Sequence, residues 1–363
     1  MLEKGKIAAR QFAILATLYI VGSAILLFPT MLASKAKQDA WLSAIVAVCI
    51  GLLAVSLYVA LGKRFPNKTF AEYSELIVGK WLGKAATLSF LLFAVFIATV
   101  SLRNIGAFLT DQILTETPIE VIYIMVMAVV AMGVRLGLET FSRAAELFFP
   151  WITMLFITLV LLAVPQMKMV HLQPVLEWGG LPILQAAIPS IHFPFVESAV
   201  LLMIYPFVNK SRKSGKAFLT GVLLGGIMLT VITLLCIAVL GPVLTAENRY
   251  PSYIIAKTIN IGNFLQRIEA IMAIIWFLTI YFKLCVLLYA MSLGISQTFR
   301  CREYRFLTIP LAGVIIPFTI IEIPNSTYLL QFNQTIMPFY TFTFGLLLPL
   351  LLYAVALVRR KKS

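Results

Sequence analysis

The sequence predicts an all-α polytopic membrane protein with ten transmembrane helices in two sets of five, the first helix of each set being broken. Of the 363 residues, 61% are hydrophobic and only 12% are charged, which is more apolar surface than a soluble protein can bury. Two long apolar runs are interrupted near their middle, the first at Gly22 and Ser23 and the second between Pro189 and Pro194. A transmembrane helix tolerates an interruption only where it is buried in protein or lines a cavity.

Apolar stretches recur along the whole chain, and most of them reach the roughly 20 residues that are needed to cross the hydrocarbon layer. The fourth and the ninth stretch are shorter than the others. The predicted spans are residues 11–32, 41–61, 85–110, 119–134, 145–164, 183–208, 217–241, 264–293, 306–322 and 336–358. Because the loops between them are short, we expect a single membrane domain over residues 1–363. Its first five-helix repeat covers residues 11–165 and its second covers residues 183–358.

The charge of the chain is strongly basic and unevenly distributed. The 29 Lys and Arg residues against 15 Asp and Glu give a formal net charge of +14, which by itself could suggest nucleic-acid binding. Most of these basic residues fall at the two termini and in alternate loops. The remaining loops hold few: Lys35, Lys37, Lys168, Arg249 and Lys257. The positive-inside rule therefore predicts that both termini are cytoplasmic. The excess of basic over acidic residues indicates contact with anionic membrane lipid rather than with nucleic acid.

The two halves of the chain match in hydropathy. Since five is an odd number of spans, the second half must be inverted relative to the first. Two inverted five-helix repeats, each starting with a broken helix, describe the leucine-transporter-like fold of the amino acid–polyamine–organocation carriers, in which paired breaks mark the binding site. The sequence contains no nucleotide-binding loop, no Ser/His/Asp set and no Cys or His cluster. We therefore expect neither an enzyme nor a resident metal or cofactor.

The first break has the composition of a carboxylate-binding site. Glycine at position 22 lets the helix open and lets a ligand approach the backbone. The half-helix that follows directs the amides of Ser23, Ala24 and Ile25, with the positive end of the helix dipole, toward the gap. The alternative is a small-residue packing notch or a simple kink, because Gly is frequent in transmembrane helices.

The second break lies between Pro189 and Pro194, which each remove a backbone donor and leave carbonyl groups free. Free carbonyls suit an ammonium group or a cation. The residues predicted to contact a ligand here are Ser190, Ile191, His192 and Phe193. His192 is one of two histidines in the chain; it could donate to a ligand or titrate, or it could be a satisfied buried histidine.

Three charged residues fall deep inside predicted spans. Glu197 follows the second break, Arg103 lies in the third span and Lys283 in the eighth. Intramembrane charges face the bundle interior and seek partners, so these residues form a predicted charge network, although Arg103 could instead snorkel to the outer interface. Lys283 borders the first break in this fold, where its ammonium could replace a bound sodium ion. Their helical neighbours Phe96, Val100 and Thr279 complete the predicted binding site.

Several of these residues together resemble one family, the spore germination permease subunits, or B subunits, of endospore-forming bacteria. The resemblance covers essentially the whole chain, and the motifs occur in the same order. They are Gln11, Gly22-Ser23-x-Ile25-x-x-x-Pro29, Phe193-Pro194-Phe195-Val196-Glu197, Pro206, and Lys283 with Tyr289, Gly294 and Gln297. The family usually has FPFGE where this chain has FPFVE, so Val196 makes the second turn less flexible.

The resemblance implies a germinant receptor component of the spore inner membrane. Such a subunit works with a soluble-headed A subunit and a lipoprotein C subunit, and it senses an amino acid or another small nutrient. The alternative is a working permease that moves an amino acid or a polyamine with protons or cations. Both functions use the same kind of binding site, so the sequence separates them poorly; the absence of a signalling domain and the family motifs favour the sensor.

Overall fold

The computed structural model describes residues 3, 5–209, 211–259, 268–322 and 326–359. Within these residues the chain is helical, apart from loops and one isolated bridge between Ile7 and Val208. Residues 264–267 of the eighth predicted span, and the basic residues 4, 210 and 360–362 that contribute to the predicted orientation, lie outside the described residues.

The first half contains the helices that the apolar stretches predict, with one additional short helix in a loop. In chain order they are α1 (Ala9–Val21), α2 (Ala24–Ala36), α3 (Ala40–Arg64), α4 (Phe70–Val78), α5 (Lys80–Gln112), α6 (Ile119–Arg135) and α7 (Leu138–Ala163). The additional helix, α4, is capped by Thr69, whose side chain accepts from the Glu72 amide at 3.3 Å.

The second half also contains the predicted helices and adds two short ones. Its α-helices are α8 (Leu181–Ile191), α9 (Ser211–Leu240), α10 (Pro242–Glu247), α11 (Pro251–Thr258), α12 (Glu269–Thr298), α13 (Thr308–Glu322), α14 (Ser326–Thr341) and α15 (Leu348–Val358). The two short helices, α10 and α11, lie in the loop between α9 and α12. A 3₁₀-helix follows α8 at Val196–Met203, and a π-helical turn at Phe342–Leu347 joins α14 to α15.

Eight helices among the described residues are long and apolar enough to cross a membrane. The difference from the predicted ten has two sources. Helices α2 and α3 follow each other directly and count as one 41-residue segment, Ala24–Arg64. A continuous helix of that length would extend about 60 Å, twice the hydrocarbon thickness. Helix α6 is not counted, because it has only 17 residues. The count of ten crossings, like the division into two inverted repeats, therefore stays a prediction.

Both predicted breaks are present. Helix α1 ends at Val21, where the Gly22 amide donates to the Leu18 carbonyl at 2.9 Å, and α2 begins at Ala24. Pro29 does not break α2, which continues through it. The second break spans residues 192–195 rather than starting at Pro189 as predicted, because α8 continues through Pro189 to Ile191. Pro194 has no amide hydrogen and disfavours a helical conformation of the residue before it.

The two breaks lie at the centre of the helical bundle. Helices α1 and α3 pack against α9, α2 packs against α8, and α12 packs against α1 and α5. The peripheral helices instead expose large apolar side chains such as Met132, Leu161 and Ile321. An apolar exterior around a buried centre with polar residues is the arrangement expected of a protein that faces lipid.

Candidate ligand-binding site at the broken helices

A buried ion pair connects the two breaks. Lys283 projects from the middle of α12, and its Nζ lies 2.7 Å from Oε2 of Glu197 in the 3₁₀-helix. The same ammonium donates to the Ser23 hydroxyl oxygen at 3.2 Å. The side chains of Lys283 and Glu197 are 1% and 3% exposed. Because an unpaired buried charge is very costly, each of these residues needs the other in place.

Aromatic side chains surround this pair. The Tyr19 hydroxyl donates to the Glu197 carbonyl at 3.1 Å. The Lys283 ammonium lies 5.3 Å from the Tyr19 ring centroid and 5.0 Å from that of Phe193, within cation–π range. Tyr58 hydrogen-bonds the Val196 carbonyl at 3.2 Å and thereby fixes the start of the 3₁₀-helix. Three contacts therefore fix the position of Glu197: Lys283 binds its carboxylate, Tyr19 binds its backbone carbonyl, and Tyr58 binds the carbonyl of the preceding residue.

Gly22 provides the room that Lys283 occupies. A Cβ atom at this position would lie 2.9 Å from Lys283 Cδ and 3.0 Å from the Tyr19 carbonyl oxygen. Thr279, one turn before Lys283 on α12, has its hydroxyl 3.5 Å from the Gly22 carbonyl and 2.9 Å from that of Trp276. The first break is therefore packed closely against α12.

A cavity of about 220 Å³ lies beside the ion pair, and Glu197 forms part of its wall. The walls come from α2, α5, the second break with the 3₁₀-helix after it, the end of α10 with the loop between α10 and α11, and α14. The lining residues are Leu27, Thr30, Met31, Ser34, Val100, Asn104, His192, Phe193, Glu197, Ala246, Glu247, Arg249 and Met337. The cavity therefore combines an apolar surface with several polar groups, as small-molecule sites do.

Two buried side chains of the cavity wall find no hydrogen-bond partner for any of their polar atoms among the described residues. These atoms are both ring nitrogens of His192 and both amide atoms of Asn104. Each residue is 2% exposed. Buried polar atoms without a partner are costly, so a polar ligand in this cavity would gain hydrogen bonds that the protein itself does not satisfy.

The predicted site residues fall into two groups in the structure. Val100, His192, Phe193 and Glu197 line the cavity, and Ser23 and Lys283 complete the ion-pair cluster behind it. The remaining predicted residues are not among the lining residues: Gly22, Ala24, Ile25, Phe96, Arg103, Ser190, Ile191 and Thr279.

Three residues of the second group have partners of their own. The Ser190 hydroxyl donates to the Ala186 carbonyl of its own helix at 2.8 Å. The Phe96 ring packs edge-on against Tyr340, with centroids 4.7 Å apart. The Arg103 guanidinium donates to the Tyr123 hydroxyl on α6 at 3.1 Å, on the side of α5 that faces α6.

Sequence analysis missed several polar residues of the cavity wall, among them Thr30, Asn104, Glu247 and Arg249. For Asn104 a signal exists, because an amide side chain in the middle of an apolar span needs a partner. Arg249 lies in the loop between α10 and α11, where no sequence pattern indicates that a side chain points inward.

The fold is that of secondary transporters. The chain superimposes with a TM-score of 0.70 on Mhp1, a nucleobase-cation-symport-1 family transporter solved with bromovinylhydantoin bound, at 14% identity over 98% of this chain and 94% of Mhp1. The TM-score is also 0.70 for MhsT in complex with L-phenylalanine, at 16% identity over 99% of this chain and 91% of MhsT. These similarities confirm the leucine-transporter-like fold class.

Within this class, sequence similarity gives the family. The chain is 29% identical to spore germination protein KB of Bacillus subtilis (strain 168) over 99% of this chain and 97% of that protein. The profile of the spore germination protein family matches residues 6–327. The chain therefore belongs to the spore germination protein family, which confirms the resemblance seen in the sequence. Family and fold together indicate a transporter or receptor rather than an enzyme.

Proposed function

We propose that this chain is the membrane subunit of a germinant receptor in the spore inner membrane, with both termini on the core side. It binds a small nutrient of the amino-acid class in the cavity beside the second break and passes a conformational change to the A and C subunits. The observation that carries this proposal is the set of unpartnered polar atoms on His192 and Asn104, two residues in the wall of one cavity.

In this proposal the predicted site residues have two roles. Val100, His192 and Phe193 contact the ligand, while Ser23, Glu197 and Lys283 relay its presence to the broken helices. Glu197 belongs to both sets, because it lines the cavity and pairs with Lys283. A ligand that displaces Glu197 would therefore act on both breaks and on α12 at once.

A second function, transport, is favoured by the fold similarity to working transporters. A permease would use the same cavity to move an amino acid or a polyamine with protons or cations. The two functions differ in one measurable respect. A sensor needs the ligand only to bind, whereas a permease must release it on the other side of the membrane.

The test combines a deletion with a substitution in the cavity wall. Spores that lack the chain are assayed for germination on single nutrients, beside uptake of labelled amino acids by vegetative cells. We expect failed germination on one nutrient with unchanged uptake. In Asn104→Leu, which keeps the side-chain size but removes the amide, we expect the nutrient concentration for half-maximal germination to rise about tenfold.

The matched control is Thr153→Val, because the Thr153 hydroxyl donates to the carbonyl of Phe149 in its own helix, away from the cavity. This variant should respond like the wild type. Lost uptake with normal germination would select the permease instead. Normal sensitivity of Asn104→Leu would exclude the cavity as the nutrient site.

A further inference from the structure

Arg249 is held at the wall of the cavity by the loop between α10 and α11. On one side of it, the Asn248 carbonyl accepts a hydrogen bond from the Thr30 hydroxyl at 2.7 Å. On the other side, the Ser252 hydroxyl donates to the Ile25 carbonyl at 2.9 Å. Both anchors connect to α2, so the backbone at Arg249 is fixed relative to one wall of the cavity.

The guanidinium of Arg249 uses only part of its hydrogen-bonding capacity. Its Nη1 atom lies 3.6 Å from Oδ2 of Asp111 at the end of α5, and the group stacks over Tyr250 at 5.2 Å from the ring centroid. Its Nε and Nη2 atoms are buried and have no partner among the described residues. These two nitrogens share one edge of the planar group, the edge that binds both oxygens of a carboxylate.

We propose that Arg249 is the carboxylate-binding residue of this cavity, so that the ligand is a small carboxylic acid held by Nε and Nη2. This inference rests on the proposed function and specifies its ligand class. Asn104 and His192 line the same cavity, and their unpartnered polar atoms bind the polar groups in the remainder of the ligand. The carboxylate site thus lies at the loop between α10 and α11 rather than at the amides of the first break.

The charges around the cavity agree with this assignment. Glu197 lines the cavity, but Lys283 neutralises it at 2.7 Å. Arg249 is therefore the cation of the wall whose second edge has no partner among the described residues, and Glu247 two residues before it brings a negative charge to the same wall. A zwitterion carries both of the complementary charges.

A purely structural role does not account for the geometry. The ion pair with Asp111 is long, and the Asp111 side chain is 44% exposed, so this contact contributes little to stability. It also engages Nη1 alone and leaves the opposite edge unused. An arginine held only for Asp111 would not need Nε and Nη2 buried at a cavity wall.

The test measures thermal unfolding of the purified full-length chain in lipid nanodiscs. The probes are the common amino acids, each beside its carboxamide, together with simple sugars and nucleosides. We expect at least one acid to raise the Tm of the wild type while its carboxamide does not. Two variants should each lower the affinity for that acid about 10- to 100-fold: Arg249→Gln, and Arg249→Lys, which keeps the charge but removes the planar edge.

The matched control is Lys257→Gln, because Lys257 is a cation of α11, next to the loop of Arg249, that lies outside the cavity wall. Its acid affinity should equal that of the wild type. If Arg249→Gln does not fold, the test depends on Arg249→Lys. An acid affinity of Arg249→Lys equal to that of the wild type would overturn the proposal. Equal stabilisation by acid and carboxamide would overturn it as well.

The design separates this inference from the function on which it rests. If only neutral compounds stabilise the wild type, and Asn104→Leu loses that effect, the carboxylate assignment is wrong while the nutrient site stands. If no compound raises the Tm, both are contradicted.

Discussion

Gly22 is the residue at which the first break and Lys283 come closest. The Lys283 side chain lies against Gly22, and its ammonium binds Ser23 and Glu197. A Cβ atom at position 22 would lie 2.9 Å from the Cδ atom of Lys283. On the other side, the Tyr19 carbonyl is fixed by α1 and cannot move away. A larger residue therefore has to displace Lys283.

We predict that Gly22→Val abolishes the nutrient response while the protein still accumulates. Overpacking of this kind costs about 1–3 kcal/mol in the free energy of unfolding, which a large membrane bundle tolerates, but it moves the ammonium away from Glu197. The measurements are spore germination and the amount of the chain in the spore membrane. Normal nutrient sensitivity would show that the first break has no role in the response.

Gly313→Val is the matched control for this substitution. Gly313 lies in α13, another membrane helix, and a Cβ atom there would meet nothing within 4 Å. We expect wild-type abundance and response. If the two variants behaved alike, the effect at position 22 would come from losing a glycine and not from Lys283.

At the scale of single residues, the sequence predicts which groups need partners but not which partners they take. The cost of an intramembrane charge identifies Glu197 and Lys283. It does not decide whether Lys283 or Arg103 pairs with Glu197, because both cations lie in apolar spans far from Glu197 in sequence. The pairing with Lys283 depends on how the second break turns, which is a property of the packed bundle.

The N-terminal segment, defined here as residue 3 with residues 5–8, is an element that packs across one end of the bundle. Ile7 makes two backbone hydrogen bonds with the end of the second broken region, to Phe207 at 2.9 Å and from Asn209 at 2.8 Å. Gln11 holds the start of α1 by accepting from the Ala8 amide and donating to Glu146 on α7, each at 2.9 Å. The segment therefore connects the first helix to both halves.

Glu3 anchors this segment to the loop before α13. Its Oε2 atom accepts from the Tyr304 hydroxyl at 2.7 Å and lies 3.5 Å from the Tyr289 hydroxyl. Burial, together with the hydrogen bond to Glu3, raises the pKa of Tyr304, so its phenol stays protonated and donates throughout the physiological pH range. The anchor is therefore insensitive to ordinary changes of pH.

We predict that Tyr304→Phe loosens the N-terminal segment. A hydrogen bond to a charged group contributes about 1.5–3 kcal/mol, so its loss should raise the open population of the segment about 10- to 100-fold. The measurement is the rate of trypsin cleavage after Lys6 and Arg10 in the purified chain. Tyr353→Phe in α15, where the described residues give the hydroxyl no hydrogen bond, is the control. An unchanged cleavage rate in Tyr304→Phe would contradict the anchoring role.

At the scale of elements, the long spans and both breaks follow from the sequence, because apolar runs and paired interruptions are strong signals. The short helices α10 and α11 do not follow from it. Helices of 6 and 8 residues are marginal by themselves and depend on packing for stability. Since Arg249 lies between them, its place in the cavity wall could not be predicted either.

For the molecule as a whole, the Lys283 ammonium is a connection between the two predicted repeats, because it binds Glu197 and also the Ser23 hydroxyl. Lys283 and Glu197 belong to the second repeat and Ser23 to the first, and all three meet at the bundle centre. In a transporter of this fold that is coupled to a cation, an ion would bind at broken backbone. Here an ammonium of the protein itself lies against the break. We therefore infer that the chain does not require sodium.

The last prediction tests this substitution of a lysine for a cation. Germination of wild-type spores should be the same with sodium present as with choline replacing it. Lys283→Met leaves Glu197 as a buried carboxylate without its partner, which costs about 3–5 kcal/mol, so both abundance and response should fall. The double variant Lys283→Met with Glu197→Leu removes both charges, and its abundance should recover because an apolar pair of similar volume packs without that penalty.

The double variant separates folding from function. If the pair serves only to hold the bundle together, the double variant should both accumulate and respond. If the pair relays ligand binding between the repeats, as we propose, the protein should accumulate without responding to nutrient. A wild type that requires sodium, or a Lys283→Met variant with a full response, would contradict the assignment, because the ammonium would then not occupy the place of the cation.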